Sequence, residues 1–185
     1  MSYAVVCDAV KSVKRKYCES DPFRLCREMG IKLILHPLGT EADAIKGFYA
    51  ENFRIRTIVI NSDLPEVIQK ITLAHELGHA VLHRRSGFQG FHDYAMFNEC
   101  VHTEKEANLF AAELLLEDED VLEALNMDTT FFAAAAELSV PMELLDFKFR
   151  IMKWRGYKLM ESPITVQSNF LATMEVSENA DYFGA

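Results

Sequence analysis

Residues 72–83 read TLAHELGHAVLH, and the placement of their histidines decides what the surrounding chain has to be. His75 and His79 stand four residues apart. On a helix that spacing puts both on one face, a turn apart. The flanking sequence supplies the helix independently. Leu64, Ile68, Ile71, His75, His79 and Leu82 recur at intervals of three and four across SDLPEVIQKITLAHELGHAVLHRR, the period of a single helical stripe. Asp63 with Glu66 forms a capping pair, and Pro65 suits the first turn. The stripe that carries the apolar residues also carries His75 and His79, so both histidines face inward. A buried imidazole needs a partner.

A metal ion is one such partner. Glu76, next to His75, puts a carboxylate beside the ion, where a bound water would sit. This is the HExxH pattern, whose chemistry is zinc hydrolysis. Zinc lowers the pKa of its water to about 7 and polarises a carbonyl. The carboxylate takes the water proton and passes it to the leaving amine. HExxH fixes only three letters, so it also occurs by chance, and the rest of a site has to be found. A catalytic zinc takes three protein ligands and keeps one position open. The metzincin continuation would place Gly at 82 and His at 85, where this chain has Leu82 and Arg85. His83 lies about 12 Å along the helix axis from His75, too far to share an ion, and is assigned a supporting place.

The third ligand is therefore expected from another element, and TEKEANLF, residues 103–110, supplies it. Thr103 with Glu106 is a capping-box pattern that would open a second helix here. Glu106 is the expected ligand. Ala107 follows it and Ala111 comes a turn later, and small residues let two helices approach closely. Glu104 is the alternative, pointing in a different direction. His92 and His102 are weaker rivals as ligands. Those two and Tyr94 are also candidates to donate a hydrogen bond to a developing oxyanion. Zinc is the expected cofactor, with manganese as the alternative.

Outward from this centre, residues 4–18 read as a first helix, with Val6, Val10, Val13 and Tyr17 at helical spacing. SDPFRLCREMG is a second helix, capped by Asp21 or Ser20 and ended by Gly30. IKLIL alternates like a strand, and IKGFYAENFRIRTIVIN predicts two strands joined around Glu51 and Asn52. The expected fold is therefore α+β: a small, about three-stranded sheet packed on a long active-site helix, with a mostly helical C-terminal half. DEDVLEALN is a short acidic helix, and TTFFAAAAELSVPMELLDFKFRIMKWRG is a helix pair broken at Ser139 and Pro141. Residues 161–185 form an acidic tail, expected as a strand pair or a loosely held segment. The expected organisation is a metallopeptidase domain over 1–118, a helical extension packed on it over 119–160, and the tail.

At 185 residues the chain is long enough to bury a sizeable core, and half of it is apolar, as in soluble globular proteins. A net charge of -9 argues against nucleic-acid binding by bulk electrostatics. MSYAVVCDAVKSVKRKY does not read as a signal peptide, no apolar run approaches membrane length, and Cys7, Cys18, Cys26 and Cys100 show no CxxC spacing. Reduced thiols and a cytoplasmic location follow as expectations, with no membrane partner.

GFYAENFRIRTIVIN, ITLAHELGHAVLH and EKEANLFAAELLL, in that order, resemble the ImmA/IrrE family of metallopeptidases. The resemblance covers roughly residues 3–155. It implies a gluzincin-like α+β fold, metal ligands at His75, His79 and Glu106, and a catalytic glutamate at Glu76. It also implies an intracellular protease that cleaves helix-turn-helix repressors of mobile elements, prophages or stress genes. The family's usual LLMP after the second motif helix is replaced by LLLED at 114–118, beyond the ligands.

A second expectation competes with proteolysis. AAAAELSVPMELLDFKFR resembles a helix-turn-helix, which would make the chain a DNA-binding or toxin–antitoxin-type regulator with a structural metal site. Against it, Glu143 and Asp146 stand near the end that would meet DNA, and few residues there read bases. The loop 86–101, with Phe88, Phe91, Tyr94 and Phe97, is an expected cover for the cleft.

Overall fold

The computed structural model describes residues 2–41, 44–83, 97–125 and 129–174, with backbone alone at 97–101 and 172–173. Helix α1 (Tyr3–Tyr17) starts at Ser2, whose Oγ accepts from the Ala4 N–H at 3.2 Å, and buries Val6, Cys7, Val10 and Val13. Helix α2 (Pro22–Glu28) is capped by Asp21, which accepts from the Arg24 N–H at 3.0 Å. It ends at Gly30, whose φ of +64° lets the Ile31 N–H reach back to the Cys26 carbonyl at 2.9 Å.

The sheet has three strands: β1 (Lys32–His36), β2 (Gly47–Asn52) and β3 (Ile55–Asn61), in the order β1-β3-β2. β1 runs parallel to β3, with Ile34 opposite Val59. β2 runs antiparallel to β3, with Tyr49 opposite Ile58. Ile58 and Ile60, both fully buried, turn one face of the sheet onto helix α3 (Glu66–Leu82). The β2–β3 turn is Phe53–Arg54, both at positive φ (48° and 68°), the hand that matches a two-residue hairpin.

The N-terminus of α3 differs from expectation. Pro65 occupies the cap position with no side-chain hydrogen bond, and Asp63 instead accepts from the Gly39 N–H at 2.8 Å. Asn61 explains the diversion. Fully buried, it spends all four hydrogen-bonding positions gathering the chain around 38–46 and 63. It donates to the Gly39 and Ile45 carbonyls and accepts from the Leu38 and Asp63 N–H groups. Asp63 is thereby held in this loop rather than over the helix.

Helix α4 (Phe97–Leu115) also starts earlier than its capping-box pattern suggests, so Thr103 lies inside the helix rather than at its end. Helices α3 and α4 cross at Gly78, where a Cβ would lie 3.0 Å from the Cα of Ala107 and 3.1 Å from the Cβ of Phe110. Helices α5 (Asp118–Ala124), α6 (Phe131–Glu137) and α7 (Met142–Trp154) complete the helical half, and Ser139 at φ 54° makes the α6–α7 break.

α7 is buried on most of its circumference: Leu144, Leu145, Asp146, Phe147, Lys148, Phe149, Ile151 and Met152 are all inside. A charged quartet sits within this packing. Lys148 reaches Glu113 at 2.8 Å and Asp118 at 2.7 Å, while Arg155 grips Asp118 at 2.7 Å and also pairs with Glu113. Among the described residues beyond α7, up to 174, the chain forms neither the strand pair nor the loose segment expected. A short helix, α8 (Phe170–Thr173), seats Phe170 and Leu171 in the core, with Phe170 5.7 Å from the Phe147 ring. The continuation of the tail and most of the aromatic loop over 86–101 lie outside the described residues. No helix among the described residues is long and apolar enough to cross a membrane.

Candidate metal centre

His75 and His79 project from the C-terminal half of α3 and are nearly inaccessible, at 5% and 8% exposure. Their Nε2 atoms stand 3.0 Å apart. α4 runs antiparallel to α3 across this face and brings one carboxylate to both imidazoles. Glu104 places Oε2 3.3 Å from His75 Nε2 and Oε1 3.3 Å from His79 Nε2. His75, His79 and Glu104 are the group among the described residues that could hold a metal ion.

Glu106, the residue expected from the sequence, goes elsewhere. Its Oε2 lies 3.6 Å from His83 Nε2, a turn farther along α3. The reason is helix phase. With Ala107 facing Gly78, Glu104 lies three residues back and Asn108 one residue on, which puts both on the flank toward His75 and His79. Glu106 falls on the opposite flank. His83 accordingly supports rather than joins the cluster. It is hydrogen-bonded to the Thr103 backbone and faces Glu106, and burial pushes its pKa below the usual imidazole value.

The tautomer of His75 follows from its neighbours. The Ser168 carbonyl can only accept, so the Asn108 atom 2.5 Å from it is the donor Nδ2. Asn108 Oδ1 therefore faces His75 Nδ1 at 2.8 Å, and since that oxygen only accepts, Nδ1 carries the proton. Nε2 of His75 is left as a lone pair pointing into the space shared by His79 and Glu104. Three electron-rich atoms converging there call for a cation. The Nδ1 of His79, by contrast, is buried with no hydrogen-bond partner among the described residues.

Burial pushes the Glu104 carboxyl up, while positive charge on the adjoining imidazoles would outweigh it and hold the carboxyl well below the usual range. Glu76 behaves oppositely. Burial drives its carboxyl up to about 7, with the charge of Glu104 adding, while His79 and a hydrogen bond from the Tyr49 backbone N–H pull it down. A carboxyl poised near neutrality can both take and give a proton. Tyr49 lies on β2, so the outer edge of the sheet borders this carboxylate.

Of the other candidates, His102 is exposed on α4, and His92 and Tyr94 lie outside the described residues. Asn108, Ser168 and the Tyr49 backbone were not anticipated. Asn108 alone had a signal: it stands four residues after Glu104, on the same helix face.

A small α+β unit with a His/His/Glu cluster across two antiparallel helices defines a metallopeptidase-like protein. The chain belongs to the Peptidase M78 family, described as the IrrE N-terminal-like domain, whose model matches residues 26–150. It is similar to the uncharacterized immunity region protein 2 of Bacillus phage phi105, 36% identical over 146 residues, covering 79% of this chain and 90% of that protein. It is also similar to the metallopeptidase ImmA of Bacillus subtilis strain 168, 30% identical over 142 residues, covering 75% of this chain and 80% of that protein. Family and site together make it a zinc-peptidase-like protein that acts on a protein partner.

Proposed function

We propose that the chain is a zinc-dependent endopeptidase that cleaves a helix-turn-helix transcriptional repressor. The observation that carries the chemistry is the convergence of His75 Nε2, His79 Nε2 and Glu104, with Glu76 alongside. Donors on a tetrahedral zinc with bonds of about 2.0–2.1 Å stand about 3.3 Å apart. Here the two imidazole nitrogens stand 3.0 Å apart, and each lies 3.3 Å from a different oxygen of the Glu104 carboxylate. Zinc so held would acidify a bound water and polarise the scissile carbonyl. Glu76 takes the water proton as the water oxygen bonds to the carbonyl carbon. It then delivers that proton to the amine as the C–N bond breaks. The strand β2, whose Tyr49 N–H holds Glu76, offers an edge for an extended peptide to pair beside the site.

The repressor as substrate is supported by two relatives, one a metallopeptidase and the other a phage immunity-region protein. The DNA-binding alternative loses its reading helix. In α7 both Asp146 and Lys148 are buried, at 3% and 1% exposure, and a helix that fills the core cannot enter a groove. The test incubates zinc-loaded protein with a small helix-turn-helix repressor encoded by a neighbouring gene and follows cleavage. Glu76→Gln is expected to keep the metal and lose cleavage by at least a hundredfold. Full activity in that variant sinks the mechanism.

A further inference from the structure

We infer that Asn108 is a positioning residue for the metal centre, and that it ties the segment 162–174 to metal affinity. The inference rests on the metal reading above and goes beyond it. Asn108 is fully buried between two groups from distant parts of the chain. On one side is His75 Nδ1 at 2.8 Å, and on the other the Ser168 carbonyl at 2.5 Å. An asparagine amide has two unlike ends, and only its oxygen accepts from an imidazole N–H. If the amide turned over, Nδ2 would meet Nδ1, and His75 would have to move its proton to Nε2. That would cap the atom aimed at Glu104 and His79. The Ser168 carbonyl prevents this, because it accepts only from Nδ2.

The chain of fixation therefore runs from the C-terminal segment through the amide to the imidazole. Ser168 selects the orientation of Asn108, which selects the tautomer of His75, which leaves Nε2 free for a metal. The segment is itself anchored next door, where Phe170 and Leu171 are buried and the Val166 carbonyl accepts from Arg150 at 2.9 Å. A partner that orients a ligating histidine is worth roughly 10–100-fold in metal affinity. Binding linkage is reciprocal, so a metal that holds His75 in this tautomer must also hold the segment more firmly.

The experiment measures zinc affinity by chelator competition and amide hydrogen exchange over 162–174, with and without zinc, in the full chain. Asn108→Leu removes both hydrogen bonds at similar volume and is expected to bind zinc 10–100-fold more weakly. Asn108→Asp separates the two roles. A carboxylate has two equivalent oxygens, so it accepts from His75 without being oriented, but it cannot donate to Ser168. It is expected to bind zinc within about tenfold of wild type while zinc no longer slows exchange in 162–174, as it does in wild type. Leucine-variant affinity within threefold of wild type overturns the inference, as does wild-type exchange in 162–174 that ignores zinc. A wild-type chain that binds no zinc at all removes the metal reading itself.

Discussion

Only Lys105 stands between the two glutamates that compete for the centre, and the structure gives them opposite neighbours. Glu104 faces His75 and His79, while Glu106 faces His83. Glu104→Ala and His79→Ala should each abolish stoichiometric zinc, measured on dialysed protein by elemental analysis. Glu106→Ala should retain it, and a Glu106→Ala protein without zinc would return the ligand role to that residue. His75, Glu76 and His79 were readable because a long apolar stripe set the phase of their helix. The third carboxylate was not. Choosing between Glu104 and Glu106 needs the rotation of α4 against α3, which is set by the meeting of Gly78 with Ala107. No local pattern encodes that contact. The Thr103–Glu106 capping pattern pointed to a helix start there, whereas the helix begins at Phe97 and the pattern is overridden by continuing backbone hydrogen bonds.

Between elements, the distance across the centre depends on a missing side chain. A Cβ at Gly78 would press on the backbone of α4 at 3.0 Å, and backbone cannot swing aside as a flexible side chain would. Gly78→Ala sets an overpacking cost of about 1–3 kcal/mol against about 1 kcal/mol gained by replacing a glycine inside a helix. The net change in stability is small, but the helices must part, and Glu104 recedes from the histidines with α4. The expected outcome is a melting temperature within a few degrees of wild type and zinc affinity at least tenfold weaker. Undiminished affinity would show that the helix spacing does not govern the site. The three-stranded sheet, the two N-terminal helices and the α6–α7 break were all visible as alternation, capping residues and a proline. The seating of 162–174 was not, because Phe170 and Leu171 form too short an apolar run to announce a core element.

At the scale of the whole molecule, the core joins α1, the sheet, α3, α4 and α7 in one cluster, and the quartet of Glu113, Asp118, Lys148 and Arg155 locks its helical end. Burial raises the Asp118 carboxyl, but Lys148 and Arg155 outweigh it and hold it below its usual value. The unfolded chain therefore binds the proton first as pH falls. The stability this pairing supplies is complete above about pH 4, the unfolded value, and drains away as pH drops through the lower folded one. Denaturant titrations between about pH 5 and pH 3 should show that loss. Asp118→Asn should flatten it while costing less at neutral pH than the ~3–5 kcal/mol of a fully broken buried pair, because Glu113 still serves both cations. An unchanged slope would remove Asp118 from the acid response. The same quartet has a thermal consequence. The hydration that its four charges forgo becomes less favourable to them as temperature rises. The burden of keeping them dry therefore lightens on heating, and the joint of α4, α5 and α7 gains on its apolar surroundings toward the melting point.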